Sequence, residues 1–252
     1  MAAAEVVTFV PGGYRYVKGV FRYSASVAAE PGFEIERARF HRPVPLAEGF
    51  RLIEARLRAI GRPLTAFCAC ELRSPAPFTE AGFEAFNRQY VAPLAAWGLY
   101  RDGANPVARS NVCPAIDPPT EPSFYAFSYT VPATNASRPS FIVAGGAEAP
   151  ENQPNYRDHI VRRGDVSPGA LVEKARYVLG VMEGRMQPLG FAWQDVTDTQ
   201  AYTVHDLHPF LGAEIVRRGA APGGLTWHYV YPPVVDLEFE MDARGIAREV
   251  VV

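Results

Sequence analysis

The order of helix-like and strand-like segments in the first half of the chain recurs in the second half, and this recurrence limits the fold more than any single motif. Leu46, Phe50, Ile53, Leu57 and Ile60 recur at helical spacing, with Arg51, Glu54 and Arg58 on the other side, which predicts an amphipathic helix. It ends at Gly61, and "RPLTAFCACEL" follows as a buried strand. A second helix carries Phe83, Phe86, Tyr90, Leu94 and Trp97, begun by Thr79 and closed by Gly98, with Pro93 expected to kink or shorten it. Two strands, "VARSNVC" and "FYAFSYTV", come next. In the second half "FIVAGGAEAP" stands beside "FRYSASVAAEP", and a helix with Leu171, Ala175, Val178 and Met182 takes the place of the first. "PLGFAWQDVTDTQAYTV" then parallels "AIGRPLTAFCACEL", "LHPFLGAEIVRRG" the second helix in shortened form, "APGGLTWHYV" the segment "NPVARSNV", and "VDLEFEM" the strand "FYAFSYTV". Two copies of about 120 residues are expected, with a Pro-, Asn- and Ser-rich seam at residues 132–140. The expected architecture is α+β: an N-terminal domain over residues 1–133 carrying Arg109, and a C-terminal domain over residues 140–252. Each would be a mixed sheet with two helices on one face.

Composition narrows the partners. Apolar residues make up 48% of the 252 positions and charged residues 21%, so a packed core is expected and disorder is not. With 25 Lys and Arg against 27 Asp and Glu, the net charge is −2, and no long basic run is present to neutralise phosphates. Nucleic acid is therefore excluded as an expected partner. No apolar stretch reaches the roughly 18 residues of a membrane span, and the opening "MAAAEVVTFVPGG" lacks the cationic flank of a signal peptide. A soluble, cytoplasmic protein without a membrane partner is expected. Three cysteines, two of them only two residues apart, do not suit a disulfide scaffold.

Three segments carry a family resemblance: "FIVAGGAE", "KARYVLGVMEGRMQPLGFAWQDVTDTQAYTVHDL" and "NPVARSNV". In this order and spacing the chain resembles the Rid (YjgF-like) enamine/imine deaminases. Its duplicated length is similar to that of the aminomuconate deaminases of aromatic degradation, the 2-amino-5-chloromuconate type in particular. The resemblance implies two tandem chorismate-mutase-like domains and a small-molecule carboxylate substrate whose amino group leaves as ammonia. It also implies a homotrimer that is a pseudo-hexamer of domains, and chemistry that needs neither metal nor cofactor. A non-catalytic small-acid-binding protein, or another small-acid hydrolase or lyase on the same duplicated scaffold, is the competing expectation.

The resemblance places Arg109 of "PVARS" on the substrate carboxylate, a task suited to a planar guanidinium that stays charged. Ser110 beside it could steady developing charge. The second copy has Leu225 at the place of Arg109, whereas glutamate counterparts occur only in the second copy, as Glu238 and Glu240. These complementary losses suggest one composite site, with either glutamate as proton carrier. A solvated acidic face of Asp236, Glu238 and Glu240, offset by Arg244 and Arg248 across a "DARG" turn, is the plainer alternative. Ser24 and Ser26, with Gly145 and Gly146 opposite, would line the substrate-binding turn, the glycines allowing close backbone approach. For a second carboxylate, Arg22, Arg138 and His228 are candidates that the sequence does not rank. His205 and His208 form an "HxxH" pair with no third ligand in view, so a structural role is expected and no metal. Cys68 and Cys70 are expected to be buried, inert thiols, and Cys113, four residues beyond Arg109, could touch the pocket but has no adjacent base to activate it.

Overall fold

The computed structural model describes residues 4–134, 140–151 and 153–252; Arg138 and most of the expected seam lie outside them. The chain opens with β1 (Val6–Phe9), β2 (Tyr14–Val17) and β3 (Ser26–Ala29). Next come β4 (Phe33–Pro45), α1 (Leu46–Ala59), β5 (Phe67–Arg73), α2 (Glu80–Ala96), β6 (Ala108–Pro114) and β7 (Ser123–Pro132). After the seam follow β8 (Phe141–Ala147), α3 (Pro168–Met186), β9 (Asp198–Tyr202) and a short α4 (His208–Phe210) that runs into a π-turn over Leu211–Val216. The chain closes with β10 (Leu225–His228), β11 (Val230–Tyr231), β12 (Glu240–Gly245) and β13 (Arg248–Val251).

These strands form two mixed sheets of the same internal order. In one, β4, β7, β5 and β6 are neighbours, with β4 and β5 antiparallel to β7 and β5 parallel to β6. In the other, β8, β12, β9 and β10 repeat that order and those directions. Each sheet buries one face under helices. Phe50, Ile53 and Leu57 of α1 and Phe83, Phe86, Tyr90 and Leu94 of α2 pack with Cys70, Leu72 and Phe127. Leu171, Ala175, Val178 and Met182 of α3 pack with Phe141, Val143, Ala201 and Met241. The helical apolar spacings read from the sequence are the buried faces. α2 continues past Pro93 to Ala96, with Thr79 Oγ1 capping it from Gly82 N at 3.1 Å.

The expected division at residues 133 and 140 is crossed by backbone pairing in both directions. β1, β2 and β3 extend the second sheet by the pairing of β3 with β8, whereas β13 runs parallel to β4 and β11 pairs with β6, both in the first sheet. This corrects one element of the repeat. "FRYSASVAAEP" is not the counterpart of "FIVAGGAEAP" but its hydrogen-bonded neighbour, with Ser26, Val27 and Ala28 opposite Val143, Ile142 and Phe141. The counterpart of β8 is β4, the strand that leads into α1. Two segments rich in small residues look alike because each packs closely where the sheets meet. A second correction concerns "VDLEFEM". Its alternation ends before the strand, which begins at Glu240 and includes the expected "DARG" turn as Asp242–Gly245. Asp236 instead has a left-handed backbone (φ 73°), and the N–H groups of Glu238 and Phe239 are taken by Glu148, at 2.6 and 3.1 Å, rather than by a neighbouring strand.

Where the two open sheet faces meet, an apolar cluster that includes Val27, Ala144, Ile35, Cys68 and Ala108 adjoins a polar network. Arg37 binds Glu71 through two hydrogen bonds of 2.6 and 2.8 Å, and Arg244 of the other sheet reaches the same carboxylate at 3.3 Å. These cations hold Glu71 well below the usual carboxylate range against the opposing effect of its burial. Gln200 Nε2 links Glu71 to Asp242, at 3.2 and 3.0 Å.

Candidate active site

Arg109 lies on β6 opposite Cys70 of the parallel β5 and points to the helix side of the sheet. The residue is 3% exposed, and its guanidinium sits in a box of aromatic rings: Tyr90 at 4.7 Å, Tyr23 at 5.1 Å, Phe86 at 5.5 Å and Phe83 at 5.7 Å from ring centroids. The ring faces supply a favourable field for the cation. They supply no acceptor, and Nη1 is buried without a hydrogen-bond partner among the described residues. A buried, unpaired guanidinium is costly for a protein to hold, and in this molecule its open side faces a cavity.

The cavity is lined from both halves of the chain. Tyr23, Phe83, Arg109 and Asn111 contribute one wall, and Gly145, Glu151, Tyr156, Leu237 and Glu240 the other. Glu240 opens β12 and is 3% exposed. Its carboxyl lies where a side chain at position 145 would project: a Cβ on Gly145 would meet Glu240 Oε1 at 2.1 Å and Ser110 Cα at 3.1 Å. Burial, reinforced by the nearby Asp242 and opposed by Arg185 and Arg109, raises the Glu240 carboxyl well above the ordinary glutamate range. The site thus pairs a fixed cation with a carboxyl group whose proton affinity is raised by burial.

The remaining expected residues fall into separate places. Ser110 faces the inter-sheet network and donates to Asp242. Ser24 donates to the Pro106 carbonyl at 3.1 Å and Ser26 to that of Arg185 at 2.7 Å, so both hydroxyls hold backbone and neither lines the cavity. Gly145 and Gly146 lie within β8, not in a turn. Only Gly145 faces the cavity; a Cβ on Gly146 would meet Met182 of α3 at 2.9 Å. Glu238 lies in the loop before β12, outside the cavity lining, with its carboxylate 2.7 Å from His205 Nε2.

Comparison with known proteins bears on this geometry. Residues 6–250 match the 2-aminomuconate deaminase CnbZ family. The chain belongs to this family. It is 57% identical over 248 residues to a 2-amino-5-chloromuconate deaminase of Comamonas testosteroni, covering 98% of this chain and 99% of that one. Among solved structures, a chorismatase aligns over 91% of this chain and 79% of its own at a TM-score of 0.47 and 11% identity. The YjgF gene product of E. coli aligns over 43% of this chain and 81% of its own at 0.31 and 18% identity.

The site of this deaminase-family member also contains residues the sequence did not single out. Glu151 accepts hydrogen bonds from Arg185 Nη2 at 2.6 Å and from the Tyr23 hydroxyl. Arg185 Nη1 in turn donates to the carbonyls of Ala144 and Gly145, both at 2.8 Å, which fixes the strand on which Glu240 rests. Arg185 sits on a helix face of apolar spacing, and a cation interrupting that face was the available clue. Glu151 and Tyr156 come from a loop with no periodicity to read. Of the candidate second cations, Arg22 hydrogen-bonds the cavity residue Tyr156 at 3.1 Å. His228 Nε2 instead donates to Gln200 Oε1 at 2.8 Å in the inter-sheet network, where burial and the Arg73 cation lower its pKa to about 4. His208 is exposed beside Asp206, and among the described residues no group of three His, Cys, Asp or Glu side chains is placed to hold a metal ion. All three cysteines are free and buried, and burial pushes Cys70 and Cys113 up to about 12. No helix of the described residues is long and apolar enough to cross a membrane.

Proposed function

We propose that the protein is a hydrolase acting on a C–N bond, which deaminates a 2-aminomuconate such as 2-amino-5-chloromuconate in the degradation of aromatic or nitroaromatic compounds. The observation that carries the reading is a buried Arg109, whose Nη1 has no partner among the described residues, lining the same cavity as the buried Glu240 carboxyl. Arg109 takes the substrate carboxylate through its planar fork. Glu240 then gives its proton to the enamine carbon, leaving an iminium and a carboxylate. That carboxylate removes a proton from water as the water oxygen bonds to the iminium carbon. A proton returned to nitrogen lets ammonia leave from the carbinolamine, and loss of the hydroxyl proton completes the carbonyl. The sum is substrate plus water giving a keto acid plus ammonia. The test is to incubate the purified protein with enzymatically generated 2-aminomuconate while following its ultraviolet absorbance and the release of ammonia. Both should accelerate with enzyme concentration, and a rate equal to the spontaneous one rejects the reading.

The matching strand order of the two sheets supports descent from a tandem duplication of a Rid-like unit, with one composite site per chain in place of two. Trp227, Tyr229, Tyr231 and Val235 are exposed along one segment, which supports a self-association interface there and a homotrimer. Free buried thiols suit a reducing compartment, so we read the protein as cytoplasmic.

A further inference from the structure

The cavity has a second polar group whose hydrogen bonding is incomplete. The Tyr156 hydroxyl accepts from Arg22 Nη2 at 3.1 Å, so its own proton must be donated elsewhere, and it has no acceptor among the described residues. Burial raises this phenol above its ordinary range, which keeps it a donor. Arg22 is boxed much as Arg109 is. Its guanidinium carbon lies 5.4 Å from the Phe83 centroid, 5.7 Å from Tyr156 and 5.8 Å from Phe21, and its buried Nε has no partner among the described residues. Phe83 is thus shared by two guanidiniums. Since Arg109 stands 5.7 Å from the same centroid, the two cations can be no farther apart than these two distances laid end to end.

Both groups are held by the elements that position Arg109. Tyr156 N and Arg157 N donate to Glu80 Oε1, each at 2.9 Å, at the start of the helix that carries Phe83. The turn with Arg22 is docked on the approach to β6 by Ser24 N to the Val107 carbonyl and by Asn105 Nδ2 to the Arg22 carbonyl, both 2.9 Å. A monocarboxylate bound to Arg109 would leave this second donor pair without an acceptor.

We propose that Tyr156, oriented and polarised by Arg22, binds the second carboxylate of the substrate, so that the cavity selects dicarboxylates over monocarboxylates. Tyr156 is the contact, and Arg22 is a positioning residue that acts through it. The inference rests on the deaminase reading of the same site, and its test separates the two. Binding of a hexadienedioate and a hexadienoate is measured by calorimetry on wild-type, Tyr156→Phe, Arg22→Gln and Arg22→Lys proteins, with melting temperatures as a folding control. Loss of a hydrogen bond to a charged group predicts that Tyr156→Phe and Arg22→Gln weaken the dianion about tenfold or more. They should leave the monoanion within about threefold, with Arg22→Lys intermediate. In turnover of 2-aminomuconate the same variants should raise KM more than they lower kcat. Equal loss for both ligands, no loss for either, or a wild-type protein that holds the dianion no more tightly than the monoanion would overturn the proposal. Absence of wild-type turnover would instead sink the deaminase reading while leaving the binding comparison intact.

Discussion

The two groups at the centre of the site, Arg109 and Glu240, are each expensive to bury as ions, and stability measurements can expose that cost. Arg109 is surrounded by rings and has no anionic partner among the described residues. Arg109→Met fills a similar volume without a charge, so it should leave stability unchanged or raise it by about 1–3 kcal/mol. The same change should lower kcat/KM on the order of 10²-fold or more through the lost carboxylate fork. Urea unfolding and steady-state kinetics on one preparation check both halves. For Glu240 the sign follows from its raised affinity for a proton in the folded state. Unfolded, it ionises near pH 4.3. Folded, it holds its proton to higher pH, so the native state loses stability as pH rises from the unfolded value towards the folded one. Glu240→Gln removes that loss: its melting temperature should equal wild type near pH 4 and exceed it increasingly as pH rises above that value. Its turnover should be abolished. A gap in melting temperature that does not widen with pH would mean that Glu240 is ionised in the native protein.

At the scale of elements, β8 and the loop before β12 set where Glu240 can be. Gly145→Ala places a methyl group on the Glu240 carboxyl and against the Ser110 backbone. It should cost about 1–3 kcal/mol of stability while lowering kcat by more than that destabilisation accounts for at a temperature where the variant is folded. The loop is pinned by a fully buried pair, Lys174 of α3 and Glu148 just beyond β8, 3.2 Å apart, with Lys174 also donating to the Val161 carbonyl at 2.8 Å. Lys174→Met leaves Glu148 as a buried carboxylate without its cation and should cost about 3–5 kcal/mol in urea unfolding, only part of it recovered by adding Glu148→Gln, whose single amide oxygen cannot take both the Glu238 and Phe239 N–H groups. These elements also show what the sequence could convey. Helix faces were legible because apolar spacing reports burial directly, as at Phe83, Phe86 and Tyr90. Arg109 was legible through "PVARS", and Glu240 as one of two acids. The choice between Glu238 and Glu240 was not, because it depends on Glu148, distant in sequence, capturing two N–H groups and so delaying the strand. Tyr23, Tyr156 and Glu151 were invisible for a similar reason: their roles arise where loops from opposite halves meet.

The whole molecule is held together by strands exchanged between sheets, and this gives the folding unit a different boundary from the sequence repeat. Residues 6–29 pair with a sheet built from residues 141–245, and residues 248–251 with one built from residues 33–132. The cavity is divided the same way, Arg109 from one half and Glu240 from the other. Neither half alone can satisfy its edge strands or complete the site, and each would expose the polar inter-sheet network around Glu71 and Asp242. A protein produced as two fragments, residues 1–134 and 140–252, should therefore yield no folded species from either fragment by itself. Co-expression should give a co-purifying complex with the far-ultraviolet circular dichroism of the intact chain and measurable deaminase activity, since the backbone pairs that join the halves need no covalent link at the seam. If each fragment folded and melted cooperatively alone, the crossing strands would be appendages to two independent domains, and the site would belong to a contact between them that each could lose without unfolding.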